Sequence, residues 1–199
     1  MRKALVLLAG WLALFALPAC ARKVQPTEAP GAQAARWGYV GGLTVKRPDA
    51  EVKNTQDKAI YLNEHYSMTA YRIAVANGTY AVKLHFAETY EKIEDVGQRV
   101  FSVAVEGKPV LGDLDVFKEA GKQRCAAVVK DLEAEVADGE LTIEFAAKVQ
   151  NPMINGIEVV AKRRGRARGA ALLINCGATA DYAAKDRRVW RKDQEYPAP

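Results

Sequence analysis

Catalysis needs a nucleophile, a base or a metal set at a workable spacing, and this chain offers little of that kind. His65 and His85 are its only histidines. Their separation fits neither a zinc-binding helix pair nor a finger. Glu88, in HFAETY, can be matched on paper with Glu94 or Asp95 as acid and base, but nothing in the spacing selects such a pair. No glycine-rich phosphate loop occurs. The residues therefore argue for a binding module rather than an enzyme, and for no cofactor. What stands out is aromatic: Trp37 and Tyr39 in RWGYVGG, Tyr61 and Tyr66 in IYLNEHY, and Tyr90 after FAE. Aromatic faces stack on the C–H faces of sugars and also fill cores. Lying near loops beside Asn63, Glu64, Glu88 and the Gln150-Asn151 pair, these rings suggest a shallow carbohydrate site.

Strands must position such rings. NGTYAVKLHFAETY opens on an Asn77-Gly78 turn and then alternates Tyr80, Val82, Leu84 and Phe86 against Ala81, Lys83 and His85, the pattern of a half-buried strand. His85 falls on the more polar face, where a structural or ligand-contacting role is expected. Phe101, Val103 and Val105 alternate before a turn at Glu106-Gly107-Lys108-Pro109, and Leu141, Ile143 and Phe145 alternate after Asp138-Gly139. AVVKDLEAEV and INGIEVVA add two more strands. Short strands with Gly-rich turns every ten to fifteen residues or so predict an all-β, antiparallel β-sandwich. Residues 112–122 read equally as one helical turn or a loop.

The 199 residues, 49% hydrophobic and 27% charged, suffice for one domain with short appendages. Arg2 and Lys3 precede a leucine-rich run too short for an ordinary spanning helix, so residues 1–20 read as a secretory signal. Its end, LPAC, resembles a bacterial lipobox with Cys20 as the lipidated residue; cleavage after Ala21 is the alternative. Loss of the signal lowers the formal charge from +5 to about +3. The expected location is the cell envelope, outer membrane or periplasm, with membrane contact through a lipid anchor. Residues 21–36 carry no apolar periodicity and read as a flexible tether. Cys125 and Cys176 then remain in an oxidising compartment, bonded to each other or free. The basic tract KRRGRARG, residues 162–169, lacks interleaved aromatics, so it reads as a solvated linker between strands rather than a nucleic-acid surface.

Six stretches, WGYVGG, IYLNEHY, NGTYAVKLHFAETY, GQRVFSVAVEG, LDVF and NPMINGIEV, resemble in that order the malectin domain, a carbohydrate-binding β-sandwich related to galactose-binding-like jelly rolls. The resemblance runs from Trp37 to about Ala161. It implies non-catalytic glycan binding at the cell envelope through loop aromatics at Tyr39, Tyr66 and Tyr90, with Glu88, Asn151 and Asp193 as hydrogen-bonding partners. Two positions depart from the family: Glu91 stands where an aromatic follows the last tyrosine, and Gln150 where an acid precedes NP. They put the family's glucose-disaccharide specificity in doubt and favour the alternative, an envelope protein-protein interaction module that has kept the fold and lost the sugar. The family's opening strand, resembling INCGG, is missing before Trp37 and reappears as LLINCGATADYAAKDRRVW near the end. A circular permutation with residues 170–199 as the displaced first strand is expected, against a truncated tandem repeat. Exchange of that strand between two chains would instead give a strand-swapped homodimer.

Overall fold

The computed structural model describes residues 36–163 and 166–197. The expected signal, the lipidation site Cys20 and all of the expected tether except Arg36 lie outside them. The first strands are β1 (Trp37–Val40), β2 (Leu43–Lys46), β3 (Asn63–Tyr66), β4 (Ala70–Ala74) and β5 (Gly78–Phe86). They are followed by β6 (Val100–Val105), β7 (Lys108–Leu114), a single helical turn α1 (Val116–Glu119), β8 (Val128–Val136) and β9 (Glu140–Val149). The chain closes with β10 (Met153–Ile154), β11 (Gly156–Arg163), β12 (Arg166–Asn175), β13 (Tyr182–Ala183) and β14 (Val189–Lys192). Of the two readings of residues 112–122, the helical turn forms only from Val116, because Asp115 caps it by accepting from Lys118 N at 2.9 Å.

A five-stranded sheet in the order β1-β4-β9-β6-β7 faces a six-stranded sheet in the order β13-β14-β12-β11-β5-β8, and a small sheet β10-β3-β2 closes one end. The alternating residues meet between the large sheets: Tyr80, Val82, Leu84 and Phe86 from β5 pack with Phe101, Val103 and Val105 from β6 and with Leu141, Ile143 and Phe145 from β9. Each such buried side chain contributes roughly 1.5–3 kcal/mol of burial free energy. Among the described residues the pairings between strands are antiparallel apart from a short parallel pairing of β12 with β14, and isolated parallel bridges join Tyr39 to Glu195 and Lys53 to Ala126.

The apolar run Leu172-Leu173-Ile174 sits where both of its faces are covered. Leu172 and Ile174 join the main core, while Leu173 points to the outer side, where Val52, Ile60, Tyr61, Ala87, Ala184 and Trp190 form a second cluster. A strand buried on both faces reads as a continuous apolar run rather than an alternation. β12 pairs antiparallel with β11 of the same chain along Gly156↔Asn175 to Arg163↔Arg166. Of the basic tract, Lys162 and Arg163 end β11 and Arg166 to Gly169 begin β12, with Lys162 pairing with Ala167 and Arg163 with Arg166. The tail then runs back beside β1, with Tyr39 N donating to Gln194 O at 3.0 Å and Tyr196 N to Tyr39 O at 2.8 Å. Gly38 permits this approach, since a Cβ there would stand 2.5 Å from Gln194 O.

Cys125 and Cys176 are both free. Cys176 is buried in the main core, and that burial pushes its thiol well above the ordinary range. His85 does lie on the outer face of β5, but that face is covered. Its Nε2 is 2.9 Å from Glu158 Oε1 and its Nδ1 2.9 Å from Tyr61 OH, so its role is structural.

Candidate functional site

β3 divides the expected site residues between its two faces. Glu64 and Tyr66 point one way and His65 the other, as period-two alternation requires. On the first side lies an open cleft of about 200 Å³ lined by Val45, Arg47, Glu64, Tyr66, Tyr90, Arg99, Gln150 and Asn151. Val45 pairs with Glu64 across β2 and β3, and Tyr66 pairs with both Leu43 and Met153, so the small sheet forms one wall. Arg47 N donates to Leu62 O at 2.8 Å, which carries the ladder one step past β2 and brings Arg47 to the cleft.

The opposite wall hangs on a buried ion pair. Glu88 has no exposed surface, and its Oε2 accepts from Arg99 Nε at 2.7 Å while its Oε1 accepts from Tyr90 N at 3.0 Å. Arg99 Nη1 donates to Asn151 O at 2.7 Å. One carboxylate thus orients the backbone of Tyr90 and the guanidinium that holds the NP loop. The guanidinium carbons of Arg47 and Arg99 lie 5.4 and 6.0 Å from the centroid of the Tyr90 ring, within cation–π range. Below them Glu64 Oε2 accepts from the Thr89 hydroxyl at 2.9 Å. Burial raises the Glu64 carboxyl above its usual range, opposed by Arg99, Thr89 and Arg47, and burial raises Glu88 against the pull of Arg99.

Tyr66, Tyr90 and Asn151 are brought together at this cleft; three other expected ligand contacts are not. Glu88 is a support beneath Tyr90, because its carboxylate is enclosed and bonded to Arg99. Asp193 is closed off as well, its side chain 3% exposed. Its Oδ2 lies 2.7 Å from His65 Nδ1 and accepts from Tyr71 OH at 2.8 Å and Gly177 N at 2.6 Å, so it ties the tail to the core. Tyr39 packs edge-on against His65, with ring centroids 4.1 Å apart, on the face of β3 away from the cleft. Arg47 and Arg99 were not anticipated as site residues. Arg99 sits just before a clear strand, a position with no pattern of its own, and Arg47 stands in a charged stretch that reads as solvated surface.

The cleft is smaller than the roughly 300–1,000 Å³ of sites that enclose drug-sized ligands. It can seat about one ring and leave the rest of a longer ligand in solvent. Among the described residues no group of histidine, cysteine and acidic side chains is placed to hold a metal.

A protein-family model described as Malectin domain matches residues 29–160, a span that stops short of β12 to β14. A probable leucine-rich-repeat receptor-like serine/threonine-protein kinase of Arabidopsis thaliana is 28% identical over 135 residues, covering 59% of this chain and 14% of that protein. Receptor-like protein 4 of the same plant is 38% identical over 84 residues, covering 42% of this chain and 13% of that protein. The chain thus spans a small part of these relatives. Among solved structures, a Bacteroides uniformis beta-glucuronidase superposes with a TM-score of 0.58 at 23% identity, over 64% of this chain and 14% of that one. The Arabidopsis thaliana ANX2 ectodomain superposes at 0.56 and 17% identity, over 69% of this chain and 45% of that one. At these identities the likenesses are of fold. No helix among the described residues is long and apolar enough to cross a membrane.

Proposed function

This chain belongs to the malectin-domain family, whose members are binding modules for carbohydrate or other extracellular partners, and we propose that its cleft holds a glycan without transforming it. The observation that carries this reading is the convergence of Tyr66, Tyr90 and Asn151 on one cleft, with Tyr90 anchored from below by Glu88. A sugar ring lies against the tyrosine faces, and the Asn151 and Gln150 side chains take its hydroxyls. Because the Glu88–Arg99 pair fixes Tyr90 before any ligand arrives, little ordering cost falls on binding. The contact is still small, so affinity for a single short sugar is weak.

In the same reading the protein works outside the cytoplasm, held at the bacterial envelope through Cys20, and β12 supplies the strand that opens other members of the family. A monomer with β12 paired in its own chain is preferred over a strand-swapped dimer. A protein-binding role is the second reading, favoured by Glu91, which is exposed, and by Gln150 at the cleft, both departures from the family's sugar site.

A glycan array with the wild type beside Tyr90→Ala tests the choice. Binding that disappears in Tyr90→Ala, with the thermal midpoint shifted by no more than about 2–4 °C, is expected for a half-exposed ring. No glycan bound by the folded wild type, together with protein partners crosslinked through the cleft face, would move the function to protein contacts.

A further inference from the structure

The two arginines of the cleft are not equivalent. Arg99 is committed to Glu88 and to the Asn151 carbonyl. Arg47 lines the cleft with no ion pair and no side-chain hydrogen bond to protein among the described residues, and its Nε is sealed from solvent without an acceptor. Buried polar atoms are nearly always bonded, so an under-bonded guanidinium at a cleft wall is a feature to be explained. Its guanidinium lies over the Tyr90 face, and the terminal amines of this half-buried arginine, without a protein partner among the described residues, are available to a guest.

The acids nearby do not take that role. Glu88 is enclosed under Arg99, and Glu64 lies buried on the floor with an oxygen taken by the Thr89 hydroxyl. The accessible electrostatics of the cleft are therefore set by Arg47, while the stacking surface is set by Tyr66 and Tyr90.

We propose that the glycan held here is acidic: a sugar whose ring stacks on the tyrosines and whose carboxylate pairs with Arg47. A guanidinium presents parallel N–H donors that match the two oxygens of a carboxylate, a fit that neither lysine nor a neutral amide reproduces. A hexuronate carries its carboxylate directly on the ring, so one residue of it meets both the ring surface and the cation in a cleft of this size. This inference rests on the glycan-binding reading above and narrows it to a substrate class.

The test is calorimetric titration of the full chain, at low and at high salt, with oligomers of glucuronate, galacturonate and mannuronate. Each is run beside its methyl ester, which keeps the ring and removes the charge, and an O-sulfated neutral oligomer is the other anion. At least one uronate is expected to bind about tenfold tighter than its ester, and Arg47→Gln to bring that acid-to-ester ratio down to about one, the ratio and not the absolute ester affinity being the quantity read. Added salt is expected to weaken the acid and not the ester. Equal affinity for acid and ester would overturn this inference and leave glycan binding standing. A preference for the sulfated oligomer would overturn the carboxylate assignment. No binding of any oligomer by the folded wild type would overturn both readings.

Discussion

Removing one partner of the Glu88–Arg99 pair measures how far the cleft depends on buried charge. The side chains are 0% and 5% exposed, with Arg99 Nε 2.7 Å from Glu88 Oε2. In Arg99→Met a carboxylate stays enclosed without its cation, and the Asn151 carbonyl loses its donor. Breaking a buried pair from one side costs about 3–5 kcal/mol. In a domain of this size that is a fall of on the order of 10 °C in the thermal midpoint. Adding Glu88→Leu removes the stranded charge, so the double variant should recover a large part of the loss, although Tyr90 N then lacks its acceptor. Urea unfolding of wild type, both single variants and the double supplies the cycle. The single variants should also bind ligand more weakly than the stability loss alone explains, because Tyr90 is no longer held. A cost under about 1 kcal/mol for Arg99→Met, or strictly additive costs in the double, would refute the view that this pair is the keystone of the cleft wall.

Glu64 makes stability fall as pH rises. Burial holds its folded value above the ordinary 4.5, so the folded state binds a proton that the unfolded state has released. The contribution is full below about pH 4.5 and is lost as pH climbs through the raised folded value. Glu64→Gln should flatten that part of the pH–stability curve, which urea midpoints across pH 4 to about 8 would show; an unchanged slope would rule the assignment out. Gly177→Ala should destabilise by about 1–3 kcal/mol or more, since Gly177 has φ of +81° and an added Cβ would stand 2.5 Å from Glu64 O. Because the displaced backbone carries Glu64, ligand affinity measured by titration should fall with it, and a variant as stable and as competent as wild type would contradict the packing described here.

Much of the sandwich was legible because burial leaves its mark on strand sequences. Tyr80, Val82, Leu84 and Phe86 alternate because one face of β5 meets the core, and that period survives any choice of neighbour. Leu172, Leu173 and Ile174 announce a strand with two covered faces, whichever strand it pairs with. The same alternation left the fate of His85 open, because the second cluster that covers it is built from residues as distant as Tyr61 and Trp190.

The candidate binding face was only half legible. Tyr66 and Tyr90 stand out as aromatic residues at strand ends, and Asn151 as a polar residue in a turn. Whether a ring or carboxylate reaches solvent is decided by which elements pack over it, and those contacts join residues far apart in the chain. Glu88 sits two residues before Tyr90, yet Arg99 closes over it; Asp193 lies in the tail, yet Gly177, His65 and Tyr71 enclose it. Arg47 reaches the cleft only because the small sheet and the loop after β5 converge there. The sequence by itself therefore determined the strands, the layered class and the aromatic character of the candidate site, since these follow from local periodicity and residue type. Which side chains are supports and which are free to meet a ligand was decided by the tertiary structure, because solvent access and charge pairing arise only when distant strands come together.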